Sequence, residues 1–308
     1  MASSCDKPAT HKRLVVFTGR DGFIMEPNTQ SNGMVATIQK PPAYEDSSIL
    51  VERRRTKQKN KALVWGLRLG ALAIFVAVWQ VVTSTGLMDS TLVSTPLDVA
   101  TAFIVQLTDS TFWVDVLATF SGALVGLIAG AVLGILSGVL FAHVPVLHTA
   151  AQPLLTLINS LPRPALAPIF ILWFGLGFGP KALVAFSVVY FVLLTSTLGA
   201  LVGIDHDIKQ LTTSLGMSAR QRFFKIEFPS ALPAIVGGLR LGAVYSVLGA
   251  VVSEMVGSYT GLGQRLVVVT NNFHVDQTFA ILLAMGLLSM LMDLSISLME
   301  KNVAKRSR

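Results

Sequence analysis

Three ionisable residues interrupt long apolar stretches of this chain: Arg240, Glu254 and Asp293. Arg240 and Glu254 are fourteen positions apart, roughly 21 Å along a helix that rises ~1.5 Å per residue, so they do not pair within one straight helix. Charges at such depth face protein or a water-filled cavity, not lipid. Glu254 therefore reads either as a buried hydrogen-bonding group or as one that lines or gates a path. Arg240 reads as a snorkelling or interhelical anchor, with the path as its alternative. Proton-coupled transport calls for more buried carboxylates than Glu254 and Asp293.

Other chemistry is absent from the sequence. No G-x-x-x-x-G-K-[ST] phosphate loop occurs, so the chain is not expected to hydrolyse ATP itself. H-E-x-x-H and G-x-S-x-G are missing as well. "GLGFGPK" at 175–181 is glycine-rich but follows an apolar run, not a strand in a βαβ unit, and reads as a tight outer turn. His143 and His148 are five apart, a poor helical spacing for a shared metal, and Cys5 is the only cysteine, so neither a thiolate site nor a disulfide framework is expected. The chain reads as a non-enzyme that binds no cofactor and no metal.

The elements that carry these residues follow from composition. Of 308 residues, 52% are hydrophobic and 13% charged, against roughly 25% charged in soluble domains. Six uncharged or nearly uncharged runs are expected to span a membrane: Leu63–Thr83, Leu117–Ala142, Pro164–Gly179, Ala182–Ile204, Ala231–Ser253 and Gln277–Met299. The third is the weakest, since 149–180 also fits a re-entrant piece with a short helix. The fold class is all-α, a polytopic membrane protein with six transmembrane helices. The net charge of +7 does not indicate nucleic acid, because eleven of the 24 Lys and Arg lie in residues 1–61, six of them in "ERRRTKQKNK" just before the first span. Basic residues beside a span stay in the cytoplasm. Residues 84–116 hold four Asp and no Lys or Arg; residues 205–230 hold Lys209, Arg220, Arg222 and Lys225; the chain ends in "EKNVAKRSR". Six spans with both termini inside satisfy all three. The expected organisation is a polar, disordered cytoplasmic tail over 1–61, a membrane domain over 62–300 and a basic cytoplasmic end over 301–308. No secretory signal pattern is expected in the tail.

Within the second span, glycines recur at every fourth position: Gly122, Gly126, Gly130, Gly134 and Gly138. They form a smooth helix face that another backbone approaches closely. Such a face serves packing within the chain or, alternatively, a moving or subunit interface.

The segment "LGMSARQRFFKIEFPSALP", residues 215–233, carries more information than a connection between spans requires. Asp207–Leu215 reads as a helix and Gly216 as a sharp turn. Ser218 reads as the N-cap of a second helix, with Arg222 in the later position of the capping box. Pro229 and Pro233 read as ending that helix and restarting the chain into the membrane. On this reading a short, rigid helix–turn–helix projects from the bilayer, and Phe223, Phe224 and Ile226 leave apolar surface that needs a partner.

This segment resembles the cytoplasmic coupling loop of ABC importer permeases, whose pattern is E-A-A, three residues, Gly, nine residues, then I-x-L-P. Gly216, Ile226, Phe228 and Pro229 match; the E-A-A positions fall on Gln210, Leu211 and Thr212 and do not. "STPLDV", "LPRPALAPIFILWFGLG", "LPAIVGGLRLG" and "VVSEMVGSYTGLG" are similar to the branch of those permeases associated with nitrate, sulfonates, taurine and pyrimidine thiamin precursors, over about residues 63–300. The resemblance implies a MetI-like permease fold in the cell inner (plasma) membrane. It also implies a homodimer, a separate ABC ATPase subunit that hydrolyses ATP, and an extracytoplasmic solute-binding protein. The ATPase-docking surface would comprise Gly216, Met217, Ser218, Ala219, Arg220, Phe223, Phe224, Ile226 and Pro229, with Glu254 and Arg240 as translocation-path or gating residues. A small solute, anionic or a pyrimidine precursor, would cross at the dimer interface, with the glycine face and the fifth span as mobile walls. An ion-gradient-driven transporter and a non-transporting membrane scaffold are the rival classes.

Overall fold

The computed structural model describes residues 47–85 and 93–306; residues 1–46 of the expected tail lie outside them. Contacts divide the chain into one unit up to Phe75 and a second from Val76 onward. Helix α1 (Ser47–Ser84) starts well before the apolar run, so the last part of the stretch expected as tail is helical. In the first unit, the Arg68 guanidinium lies 5.5 Å over the Trp65 ring, which holds it against an aromatic face.

The described residues of the second unit are helices joined by short turns. Thr95 starts α2 (Pro96–Thr108): its hydroxyl accepts from the Asp98 N–H at 3.2 Å and donates to the Asp98 carboxylate at 2.6 Å, while Pro96 supplies the fixed φ of a first helical position. The sequence reading treats this stretch as connecting loop. Asp109 caps α3 (Ser110–His143) in the same way, accepting from Thr111 N at 2.9 Å. α4 (Pro145–Ser160) stops before Pro162, a single 3₁₀ turn follows at Arg163–Leu166, and α5 (Ala167–Phe174) closes at Gly175. Then come α6 (Phe178–Val202), α7 (His206–Ser214), the one-turn α8 (Ala219–Arg222), α9 (Phe228–Val256), α10 (Leu262–Asn271) and α11 (Val275–Arg306).

Five of these helices are long and apolar enough to cross a bilayer: Leu63–Ser84, Ser110–His143, Phe178–Val202, Ala219–Val256 and Val275–Leu298. The expected third span is different. Pro164–Gly179 is not one helix: α5 has eight residues, about 12 Å of rise, too short for a ~30 Å hydrocarbon core. Pro162 and Pro164 break the ladder, and α4 and the segment Arg163–Phe174 meet at 87°. Together the two make a broken sixth span or a re-entrant pair.

α3, α6 and α9 form the centre, with α10 and α11 against α9. The glycine face of α3 lies directly on α6. A Cβ on Gly126 would stand 2.8 Å from Ala182 O, one on Gly134 2.6 Å from Tyr190 O, and one on Gly138 2.8 Å from the Thr197 Cβ. Any side chain there would push the two helices apart. Phe112, Leu193, Val247, Leu262 and Ile281 are the large apolar side chains sealed into the unit.

Candidate functional site

Two constellations lie at opposite ends of the bundle. At one end is the 205–230 loop. The Asp205 side chain caps α7 by accepting from Asp207 N at 2.9 Å. The helix ends in a Schellman motif: Met217 N donates to Thr212 O at 3.2 Å and Gly216 N to Thr213 O at 3.0 Å. The motif requires a left-handed residue, and Gly216 has φ +71°. Ser218 caps the following helix, but the reciprocal partner is Gln221 and not Arg222. Gln221 N donates to Ser218 Oγ and Ser218 N to Gln221 Oε1 at 3.0 Å. A reciprocal side chain must stand three residues after the cap, and 221 is that position. Arg222 turns inward and its Nε donates to Glu227 Oε1 at 2.9 Å.

Pro229 and Pro233 do not end this helix. Residues Phe223–Glu227 form a π turn closed by Phe228 N to Phe223 O, and Ala219–Val256 runs as one 38-residue helix. The wider turn lies just ahead of Pro229, which occupies the first turn of α9, where its missing N–H costs little. The loop is pinned to the end of α3. His143 Nε2 lies 3.0 Å from Glu227 Oε2, and the His143 ring meets Phe223 edge-on at 5.3 Å. Of the residues expected at a docking surface, Phe223, Ile226 and Met217 are half-buried. Gly216, Ser218, Ala219, Arg220 and Pro229 are exposed, and Phe224 is 60% exposed. Leu211 and Leu215 of the preceding helix–turn are exposed beside them.

At the opposite end, Glu254 is fully enclosed. Its carboxylate lies 2.8 Å from Lys181 Nζ, accepts from Gly263 N at 3.0 Å, and has Thr119 Oγ1 at 2.8 Å. Thr119 in turn accepts from Leu262 N at 2.9 Å, and Lys181 also donates to Thr260 O at 2.9 Å. The ion pair is 3% and 0% exposed on its two sides. Its carboxylate and ammonium meet the hydrogen-bonding conditions that a buried pair needs. The stem of Lys181 fits only because Gly122 has no side chain: a Cβ there would approach Lys181 Cγ to 2.6 Å. Gly261, at φ +126°, allows the loop to close over the carboxylate, which an added Cβ would strike. Gly261 N donates to Asp115, and Arg265 joins Asp115 and Asp109. Thr111 and Arg265 hold the Asp109 carboxyl down at about 2, from an ordinary 3.8.

The sequence reading singled out Glu254 without Lys181, and assigned 175–181 to a turn. Pro180 and Lys181 lie inside the first turn of α6. The available signal was positional. Lys181 opens one span, Glu254 closes an antiparallel one, and opposite charges at equal depth on adjacent spans can meet. Arg240 and Asp293 form a second interhelical pair, with Nε to Oδ1 at 3.0 Å and Nη2 to Oδ2 at 3.2 Å, joining α9 to α11.

The family described as binding-protein-dependent transport system inner membrane component has a model that matches residues 126–308. The chain belongs to that family. It is a multi-pass membrane protein and an ABC importer permease subunit. The riboflavin transport system permease protein RibX of Chloroflexus aurantiacus is 32% identical over 81% of this chain and 92% of that one. The putative aliphatic sulfonates transport permease protein SsuC of Bacillus subtilis is 27% identical over 82% and 92%. The formylaminopyrimidine transport permease protein ThiX of Halalkalibacterium halodurans is 29% identical over 64% and 78%. These relatives are all described as transport permease proteins. A solved structure of inward-facing conformations of the MetNI methionine ABC transporter shares the fold of this permease. Its TM-score is 0.55 at 18% identity, over 61% of this chain and 94% of that one.

Proposed function

We propose that this permease forms one wall of a solute path and receives the motion of a separate ABC ATPase through the 205–230 loop. The observation that carries the reading is the exposed end of that loop. A rigid turn, fixed by the Schellman motif and the capping box, holds Leu215 (70% exposed) and Phe224 (60% exposed) clear of the bundle. Apolar side chains held in place at that cost are a binding surface in waiting. The basic residues of the loop favour the cytoplasmic side, where an ATPase works.

On this reading Gly216, Ser218, Ala219, Arg220 and Phe224 meet the ATPase, while Phe223 and Ile226 brace the loop from within. Two copies of the chain enclose the path, and an extracytoplasmic binding protein delivers the solute to the end that carries Asp109 and Arg265. The Lys181–Glu254 pair fastens the 257–263 turn to α3 and α6, and acts on gating through that turn rather than by touching solute. The relatives named for riboflavin, aliphatic sulfonates and formylaminopyrimidine define the range of solutes. An organic anion or a neutral heterocycle fits that range.

The test is co-purification. Wild-type chain, expressed with an ABC ATPase subunit from the same organism, is expected to retain that ATPase through affinity purification. Gly216→Val should insert normally and lose it, because a β-branched residue does not hold φ +71° without strain. Uptake that persists in ATP-free vesicles under an ion gradient would favour a secondary transporter, and unchanged uptake in cells lacking the gene would favour a scaffold.

A further inference from the structure

The bend between α4 and α5 opposes the middle of α6 and the Tyr245–Gly249 stretch of α9, and a cleft of about 490 Å³ opens there. Val188 and Phe191 of α6 and Leu248 and Gly249 of α9 make its apolar wall, and Arg163 projects into it from the bend. That volume lies within the ~300–1,000 Å³ typical of small-molecule sites. The guanidinium is held in position by neutral groups only. Nη1 donates to Ser187 O, Nη2 donates to Asn159 Oδ1, and the carbon of the guanidinium lies 4.7 Å over the Phe191 ring.

Ser187 stands nine residues from the start of α6 and fifteen from its end, roughly 14 and 22 Å along the axis. The cation is therefore at mid-depth of a span. Among the described residues no carboxylate pairs with it; the ion pairs there belong to Lys181, Arg222, Arg240, Arg265 and His143. Three of its five N–H groups have no acceptor among those residues. A guanidinium at this depth, fixed by two acceptors and a ring yet lacking a counter-charge, is costly unless an anion visits it. The broken backbone beside it fits the same reading, since irregular backbone at membrane depth is tolerated where it lines a cavity.

We propose that this cleft is an anion subsite on the solute path. It takes a small organic anion: a sulfonate or carboxylate head on the free edge of Arg163, and an apolar body along Val188, Phe191 and Leu248. An inorganic oxyanion would leave most of the space empty. The proposal rests on the permease reading and narrows it to one solute class. An anionic lipid head group offers the same chemistry from the bilayer, so the test separates the two sources.

The probes are hexanesulfonate and hexanol, titrated calorimetrically into the full chain in phosphatidylcholine nanodiscs. Hexanesulfonate is expected to bind saturably and hexanol at least about tenfold more weakly. Arg163→Gln should weaken hexanesulfonate about ten- to a hundredfold, the usual range for charge-assisted hydrogen bonds. Val188→Phe fills the cleft without touching the contacts of the guanidinium, and should weaken it comparably while the fold is kept. Arg163→Gln should still co-purify with the ATPase, which separates this test from that of the loop. Equal binding of hexanol, or wild-type affinity in both variants, would overturn the subsite. Abolition of hexanesulfonate binding by phosphatidylglycerol in the nanodisc would reassign it to lipid and overturn its place on the solute path.

Discussion

Removing one partner of the Lys181–Glu254 pair should destabilise the protein far more than removing both. In Lys181→Met, Glu254 keeps the Gly263 N–H and the Thr119 hydroxyl but loses its ammonium, inside a site with 0% exposure. In Glu254→Gln, Lys181 keeps Thr260 O but loses its carboxylate partner at 3% exposure. Stranding a buried charge in this way costs about 3–5 kcal/mol. In a domain of this size that is roughly 6–20 °C of melting temperature. The double variant leaves no formal charge in the site: the Gln oxygen should still accept from Gly263 N, and the Met stem should follow the channel beside Gly122. Its expected loss is about 1–2 kcal/mol, which makes the coupling between the two sites at least about 4 kcal/mol in magnitude. Thermal unfolding of the purified chain in detergent, as wild type, two singles and the double, measures it. If the two single losses simply add in the double variant, the two charges do not depend on each other and the enclosed ion pair described here is wrong.

Four further outcomes are expected. Phe224→Ala should change stability by no more than the ~0.5 kcal/mol usual for surface positions yet weaken ATPase co-purification. Phe223→Ala, which strips the ring from His143 and Phe228, should lower both stability and co-purification. Gly134→Leu should lose several kcal/mol, about the range for severe overpacking, seen as reduced folded yield on size-exclusion chromatography, because its side chain would enter the α6 backbone. At the opposite end, Asp109 is depressed to about 2 from 3.8 in the unfolded chain, so its stabilisation is complete above the higher value and is lost as pH falls through the lower. The melting-temperature difference between wild type and Asp109→Asn should therefore be constant above about pH 5 and close between roughly pH 4 and 2.

The long spans announce themselves because a membrane demands uninterrupted apolar runs, and the glycine register on α3 is visible because period four maps onto one helix face. What escaped the sequence was non-local or contrary to a local rule. Lys181 and Glu254 are separated by 73 positions, and nothing near Lys181 distinguishes it from a residue at an outer turn. Pro229 looked like a helix stop, since proline usually is one; the π turn ahead of it depends on a five-residue hydrogen bond that no composition signal marks. The polar cap of α2 was present in "STPLDV", but thirteen residues between two spans do not reveal a helix without their packing. Arg163 sits in a proline-flanked stretch that reads as a break, and only the bend brings it to the centre of α6.

Because the wide turn is absorbed and not broken, the stretch from Ala219 to Val256 is mechanically a single lever, about 57 Å long at the usual rise. A tilt of about 5° imposed at its short end would sweep the far tip by roughly 5 Å, about one helical pitch. The wide turn Phe223–Glu227 and the internal Pro233 both lie in its first half. On the proposed coupling, a nudge at Gly216 would reach the turn over Glu254 along the remaining length of α9.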